Sequence, residues 1–214
     1  MGERVQFFLD VMCPFAYEAS RWIRSVRDQG HCEVDWRFFS IEEVDCPEGE
    51  RHPWERDRAP GWSLLRVAAW LRRRDPALVD AWYAAAGRAI HEDGRKVYLP
   101  DEAAAVAAGI GLPEDAVTAA LGDPSTHDDV RSDHDWLVAE KAGFGVPTLV
   151  FEDGAALFGP VVVPAPEGAE ALRLWELVCM WREFPHLYEL NRPKTATDHA
   201  HIAALFAPTR AAYP

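Results

Sequence analysis

The chain predicts an α/β fold: a four-stranded sheet whose two halves are separated by an all-helical block. Three observations predict it. Strand-like runs are confined to residues 4–41 and 148–158, the stretch between them is punctuated by repeated proline–acid starts and glycine stops, and a helix-like pattern follows each strand region. Arg4–Asp10 carries Val5, Phe7, Phe8 and Leu9, the β-branched and aromatic bulk of a short buried strand. Phe15–Arg27 sets Ala16, Ala19, Ser20, Ile23 and Val26 on one stripe at steps of three and four, which predicts a helix, and Gly30 is placed to end it. Cys32–Ile41 alternates and is rich in aromatics, so it reads as a second strand. A strand–helix–strand crossover of this kind makes the strands parallel and the connection right-handed.

From Glu42 to Gly61 the chain is charged and contains Pro47, Pro53 and Pro60, the marks of a long loop. Ser63–Arg74 is amphipathic, and Asp75-Pro76 opens a helix over Ala77–His91 with an N-cap and a first-turn proline. Further helices are expected after Pro100, after Pro113, and up to Gly143. Strands return at Thr148–Phe151 and Ala155–Phe158, joined by the hairpin signal Asp153-Gly154, and Glu167–Glu183 reads as a last helix. The tail after Asn191 reads as loosely packed. The expected parts are a core first half at 1–41, a loop and helical insertion at 42–142, a core second half at 143–190 and a tail at 191–214. The order β-α-β … β-β-α is that of a thioredoxin fold, here with an inserted all-helical domain.

The 214 residues carry a formal charge of −13, which argues against nucleic acid or an anionic lipid surface as partner. No secretory leader and no membrane-length apolar run is read, so the expected location is cytoplasmic. Cys13, Cys32, Cys46 and Cys179 are widely spaced and are expected as thiols. There is no Cys-x-x-Cys pair and no Cys/His group with zinc spacing, so no metal is expected.

The chemistry centres on Cys13-Pro14-Phe15-Ala16, where the first strand delivers a cysteine to a helix N-terminus. Free amides and the helix dipole there favour an anion, so the thiol pKa is expected to fall. Pro14 at the first helical position loses no hydrogen bond. Tyr17, Phe15, Trp54 and Trp62 are candidates for an aromatic wall around a flat substrate, although buried tryptophans are more simply core.

The segments "DVMCPFAY" (10–17) and "GFGVPTLVF" (143–151) resemble the DsbA-like branch of the thioredoxin superfamily. With "GRAIHEDG" (87–94), "LFGPVVVPAPEGAEALRLWE" (157–176) and "FPHLYELNRPKT" (184–195), the resemblance narrows to the actinobacterial mycothiol-dependent nitroreductase group. It implies a thiol-dependent oxidoreductase with mycothiol as its thiol cofactor. It implies a cis peptide at Val146-Pro147 facing Cys13, with Val146, Pro147 and Thr148 docking the thiol ligand as an added strand would. It also implies that His91 lies near the active site, as donor to thiolate or substrate. The family pattern is Cys-Pro-x-Cys; here Ala16 replaces the second, resolving cysteine.

Three consequences of Ala16 stay open at this point. An external thiol resolves a mixed disulfide at Cys13; or Cys13 only polarises a bound thiol; or Cys46, in the loop after the second strand, is the resolving partner. The first gives a monothiol oxidoreductase acting on a small disulfide or an electrophilic, nitroaromatic substrate. The second gives an S-transferase or isomerase of the 2-hydroxychromene-2-carboxylate isomerase/kappa transferase type. A redox-inactive binding protein is a further alternative. The expected partners are a small-molecule thiol and a small electrophile, with the chain as monomer or homodimer.

Overall fold

The computed structural model describes residues 2–213. Strand β1 (Glu3–Leu9) lies at the centre, parallel to β2 (Cys32–Phe38) and antiparallel to β3 (Thr148–Phe151), and β3 pairs antiparallel with β4 (Ala156–Phe158), giving the order β2-β1-β3-β4. Both faces of the second half of β1 are covered, which is why Phe7, Phe8 and Leu9 form a continuous apolar run, whereas Glu3, Arg4 and Gln6 in its first half are polar and less buried. Val5, Phe7 and Leu9 face the large core with Trp36, Phe38, Leu149 and Phe151. Phe8 faces a smaller cluster with Val150, Phe39, Leu137, Val146, Ala16 and Cys13. The sheet edge at β4 turns on Gly154, whose φ of 85° suits the Asp-Gly hairpin.

Helix α1 (Pro14–Asp28) crosses between β1 and β2, and the short α2 (Ile41–Val44) follows β2 under a Ser40 cap. The region read as one loop contains that turn, a 3-10 turn at Pro53–Glu55, and the start of α3 at Pro60. The insertion is α3 (Pro60–Arg72), α4 (Pro76–His91), α5 (Pro100–Gly109), α6 (Ala116–Gly122) and α7 (Thr126–Lys141). It shares the large core with the sheet through Trp62, Leu64, Leu65, Trp82 and Tyr83. The Arg24–Asp80 ion pair at 2.6 Å ties α1 to α4, and the buried Asp133 of α7 accepts from the Phe38 amide at 3.1 Å and from Arg37 at 3.2 Å. Helix α8 (Gly168–Trp181) is joined to α1 by Trp22 Nε1 donating to the Ala171 carbonyl at 2.9 Å.

The end of α7 departs from expectation in detail. The left-handed residue is Ala142 (φ 51°), not Gly143. Gly143 is needed for space instead, because a Cβ there would lie 2.4 Å from Leu137 Cγ.

The largest correction is the tail. Its first part, through α9 (Ala196–Leu205), is largely exposed and buries no residue, as a loose tail would be, but it is helical under a Thr195–Asp198 capping box, and the following α10 (Ala207–Ala212) packs on α4. Phe206 meets Phe15 edge-on at 4.9 Å, Tyr213 packs on Tyr98 at 5.1 Å, and Ala212 is fully buried. No helix among the described residues is long and apolar enough to cross a membrane.

Candidate active site

Cys13 is the N-cap of α1. Its Sγ accepts from the Ala16 amide at 3.4 Å and faces the Val146 carbonyl at 3.7 Å, so the thiol proton is donated across the site to the strand β3 side. Pro14 occupies the first turn, and the loop before it is held by the Cys13 amide donating to the Asp10 carbonyl at 3.1 Å. The Val146–Pro147 peptide is cis. Pro147 and Thr148 are buried beside it, and the Thr148 hydroxyl donates to the Gly145 carbonyl at 2.7 Å.

The expected drop in the Cys13 pKa does not occur. The side chain is only 7% exposed, and burial pushes the thiol up to about 11 against the pull of the Ala16 and Phe15 amides, with the nearby Asp10 charge adding to the rise. Helix-terminal amides favour a thiolate, but they cannot replace the water that burial removes. In this closed form Cys13 is a neutral donor.

Ala16 is fully buried in the same apolar cluster, where the family's second cysteine would stand. Phe15 is partly exposed and lies under Phe206. Tyr17 is buried against the His91 ring, 5.1 Å away, and its hydroxyl donates to Glu92 at 2.6 Å. Burial, followed by that carboxylate, raises the phenol pKa.

His91 does not reach the thiol. Its Nε2 lies 2.9 Å from the Val11 carbonyl, which can only accept, so Nε2 carries the proton and Nδ1 accepts from the Thr209 hydroxyl at 3.0 Å. Burial lowers its pKa to about 4 and keeps it neutral. Both nitrogens are spent tying α4 to the Val11–Cys13 loop and to the tail, which corrects the expectation of a donor to thiolate or substrate. Trp62 is likewise corrected: it is 1% exposed, its indole donates to His127 at 2.8 Å, and no face is left for a ligand.

Cys46 and Cys13 are not brought together. Both are free thiols, and Cys46 instead faces the Pro47, Glu50 and Arg51 carbonyls and the Arg56 guanidinium, with no partner shared with Cys13. Cys32 is the buried first residue of β2, and Cys179 lies half-buried against Glu3.

Asp10 was missed by sequence reasoning. It is fully buried, its two oxygens accept from the Met12 amide at 2.9 Å and the Ile41 amide at 2.8 Å, and burial pushes its carboxyl up to about 6. The signal was an acid directly after the apolar run of Phe7, Phe8 and Leu9, three residues before the cysteine.

A cysteine capping the first helix, opposite a Val-Pro-Thr turn in a four-stranded sheet with a helical insertion, defines the class of DsbA-like thioredoxin-fold thiol enzymes. Solved structures agree at the level of fold. A probable DsbA oxidoreductase from Streptomyces coelicolor matches with TM-score 0.58 at 21% identity, over 91% of this chain and 94% of that one. The 2-hydroxychromene-2-carboxylate isomerase matches with TM-score 0.61 at 15% identity, over 84% and 95%. The cytosolic disulfide reductase DsbM of Pseudomonas aeruginosa, solved with GSH, matches with TM-score 0.60 at 16% identity, over 83% and 99%. The family described as mycothiol-dependent nitroreductase Rv2466c matches residues 12–192, so the chain belongs to that family of thiol oxidoreductases. The Mycobacterium tuberculosis protein Rv2286c, described as uncharacterized, is 49% identical over 204 residues, covering 95% of this chain and 88% of that one.

Proposed function

We propose that the protein is a monothiol oxidoreductase that uses mycothiol through Cys13. The observation that carries this reading is the Cys13 Sγ poised between the Ala16 amide and the Val146 carbonyl, with alanine at the only local position for a resolving thiol. The residues fit a thiol ligand: the Val146 backbone lies beside the sulfur, and an extended ligand pairing there would take over the carbonyl that now accepts the Cys13 proton. The ligand supplies a second sulfur. With that bond displaced, the Ala16 and Phe15 amides are left to stabilise a Cys13 thiolate.

In this cycle the Cys13 thiolate attacks a mycothiol disulfide. A Cys13–mycothiol disulfide forms, the ligand's own disulfide breaks, and the departing thiolate takes a proton from water. Cys13, with no resolving cysteine at Ala16, is released from that mixed disulfide by exchange with a second mycothiol thiol, mycothiol disulfide leaving as the product. When the acceptor is an electrophile such as a nitroaromatic, the electron pair comes from joining the Cys13 and mycothiol thiols into that same disulfide, with loss of two protons. Asp10 and His91 act as positioning residues on the loop that presents Cys13.

A second reading is favoured by one observation, the burial that holds Cys13 at about 11. A neutral thiol suits donation to a non-covalently bound thiol, as an S-transferase or isomerase would use it. Intact mass after incubation with mycothiol disulfide separates the two. A single mycothiol adduct on the wild type, absent in Cys13→Ser, supports the monothiol cycle. An adduct that gives way to loss of two hydrogens overturns it in favour of an internal partner. No adduct overturns it in favour of the second reading.

A further inference from the structure

Away from Cys13, the loop after β2 assembles a sulfur, a nitrogen and a carboxylate around one point. Glu43 is in the last turn of α2, Cys46 follows it, and His52 leads into the 3-10 turn. His52 Nδ1 lies 3.0 Å from both Glu43 oxygens, and one donor atom from each of Glu43, Cys46 and His52 lies within 4.8 Å of the others. We propose that Glu43, Cys46 and His52 form a binding site for a divalent cation of zinc type.

The donor set selects the metal. Thiolate and imidazole suit zinc and exclude calcium or magnesium, which demand oxygen, and three protein ligands leave a fourth tetrahedral position for water. Donors around tetrahedral zinc stand roughly 3.5 Å apart, given metal–ligand lengths of about 2.0–2.3 Å. The Glu43–His52 pair is already closer than that, and the sulfur needs only a small inward shift of a short exposed segment.

The neighbours also fit. The His52 ring is stacked on Trp54, 4.4 Å away with 4° between planes, and its amide donates to Glu55 at 2.9 Å, so the ligand is held in place before metal arrives. Arg56 donates to the Cys46 sulfur at 3.1 Å, a contact that supports a thiolate once zinc is bound. The segment from Glu42 to Arg56 contains six carboxylates (Glu42, Glu43, Asp45, Glu48, Glu50, Glu55) against two arginines, Arg51 and the Arg56 that touches the sulfur, a net negative field that favours a cation. On binding, the Cys46 S–H bond is replaced by a sulfur–metal bond with its proton going to solvent, and the Nδ1 proton that now bridges His52 to Glu43 is exchanged through water for one on Nε2, which frees the Nδ1 lone pair for the metal. The spacing Glu-x2-Cys-x5-His matches no zinc motif, which is why the sequence raised no metal expectation; only the folded loop unites the three.

The test is titration of chelator-treated full-length protein with Zn2+ by calorimetry and with Co2+ by absorbance. One saturating equivalent is expected, with a thiolate-to-cobalt charge-transfer band. Cys46→Ser and His52→Ala should each weaken binding by about 100-fold or more, Cys13→Ser should leave it unchanged, and Zn2+ should slow alkylation of Cys46. Circular dichroism of the variants keeps a folding defect apart from a lost ligand, and Glu43→Gln supplies a third, conservative probe. Absence of saturable binding, binding that survives Cys46→Ser, or binding lost in Cys13→Ser overturns the proposal.

Discussion

Two thiols at the same edge of the sheet meet opposite surroundings. Cys13 sits at a helix N-terminus, where backbone amides favour an anion, yet it is sealed in an apolar cluster and stays protonated. Cys46 has no helix behind it, but it lies half-exposed among Glu43, His52 and Arg56. The difference teaches that position on a secondary-structure element does not set a thiol's chemistry; the water it keeps and the charges it touches do. A catalytic role for Cys13 therefore depends on opening or ligand docking at Val146, whereas Cys46 is accessible as it stands.

The largest expected effect is on labelling. At pH 8 a thiol held at about 11 is only about one part in a thousand thiolate, so Cys13 should alkylate some 100-fold more slowly than free cysteine, whose pKa is about 8.5. Cys46 should be labelled first. Peptide mapping after timed iodoacetamide treatment reads both, and equal rates for Cys13 and free cysteine would break the contrast.

Next in size is the opposed titration of the two groups that hold the Cys13 loop. The Asp10 carboxyl is raised from 3.8 to about 6, so its contribution to stability is fully present below 3.8 and is lost as pH rises through 6, about 3 kcal/mol in all. The His91 pKa is lowered from 6.5 to about 4, so its contribution is present above 6.5 and is lost as pH falls toward 4, again about 3 kcal/mol. Asp10→Asn, whose amide NH2 faces one of the two backbone donors, should be destabilised at low pH but should not lose further stability as pH rises from 5 to 8, and His91→Gln should flatten the acid limb. Urea unfolding at several pH values measures both, and a parallel offset at all pH values would refute the assignment.

The sheet was legible because Phe7, Phe8 and Leu9, and likewise Leu149, Val150 and Phe151, form short apolar runs buried on both faces, β2 alternates buried Trp36 and Phe38 with charged Asp35 and Arg37, and the hairpin is marked by Asp153-Gly154. Cys13 and Pro14 stand out at a strand–helix junction, whereas Val146 and Pro147 came only from the family resemblance; the fold brings the Val146 carbonyl to 3.7 Å from the Cys13 sulfur beside a cis peptide. What failed depends on distant partners. The Thr195-x-x-Asp198 capping pattern announces α9, but the docking of the tail was not legible, because its anchors, Phe206, Thr209 and Ala212, are fixed by contacts with Phe15, His91 and α4. His91 and Trp62 were assigned to ligand because their hydrogen-bond partners lie 80 and 65 residues away. The helix-dipole argument for Cys13 was sound locally and was outweighed by burial that only the folded chain reveals.

A packing test is intermediate in size. A Cβ at Gly87 would fall 2.4 Å from Tyr17 Cδ2. Alanine raises helix propensity by about 1 kcal/mol, but pushing Tyr17 off His91 and Glu92 should cost more, leaving Gly87→Ala destabilised by about 1–3 kcal/mol. A stability gain in thermal or urea unfolding would mean that the Tyr17 ring moves freely, and the rigid frame proposed for the Cys13 loop would go with it.

The smallest expected effect bears most directly on the contrast between the thiols. Thr209 donates to His91 Nδ1, and Phe206 three residues earlier covers Phe15, so the tail is fastened to the loop on both sides of Cys13. Thr209→Val keeps the shape and removes the donor, leaving a buried ring nitrogen unpaired at a cost of about 1 kcal/mol. If the tail is part of what seals Cys13, that loss should appear as faster alkylation of Cys13 by about fivefold, while Cys46 labelling stays unchanged, because its loop touches neither Thr209 nor Phe206. An equal acceleration at both cysteines would mean general loosening rather than a local seal. An unchanged Cys13 rate would assign its burial to the sheet-side cluster of Phe8, Leu137 and Val150 alone.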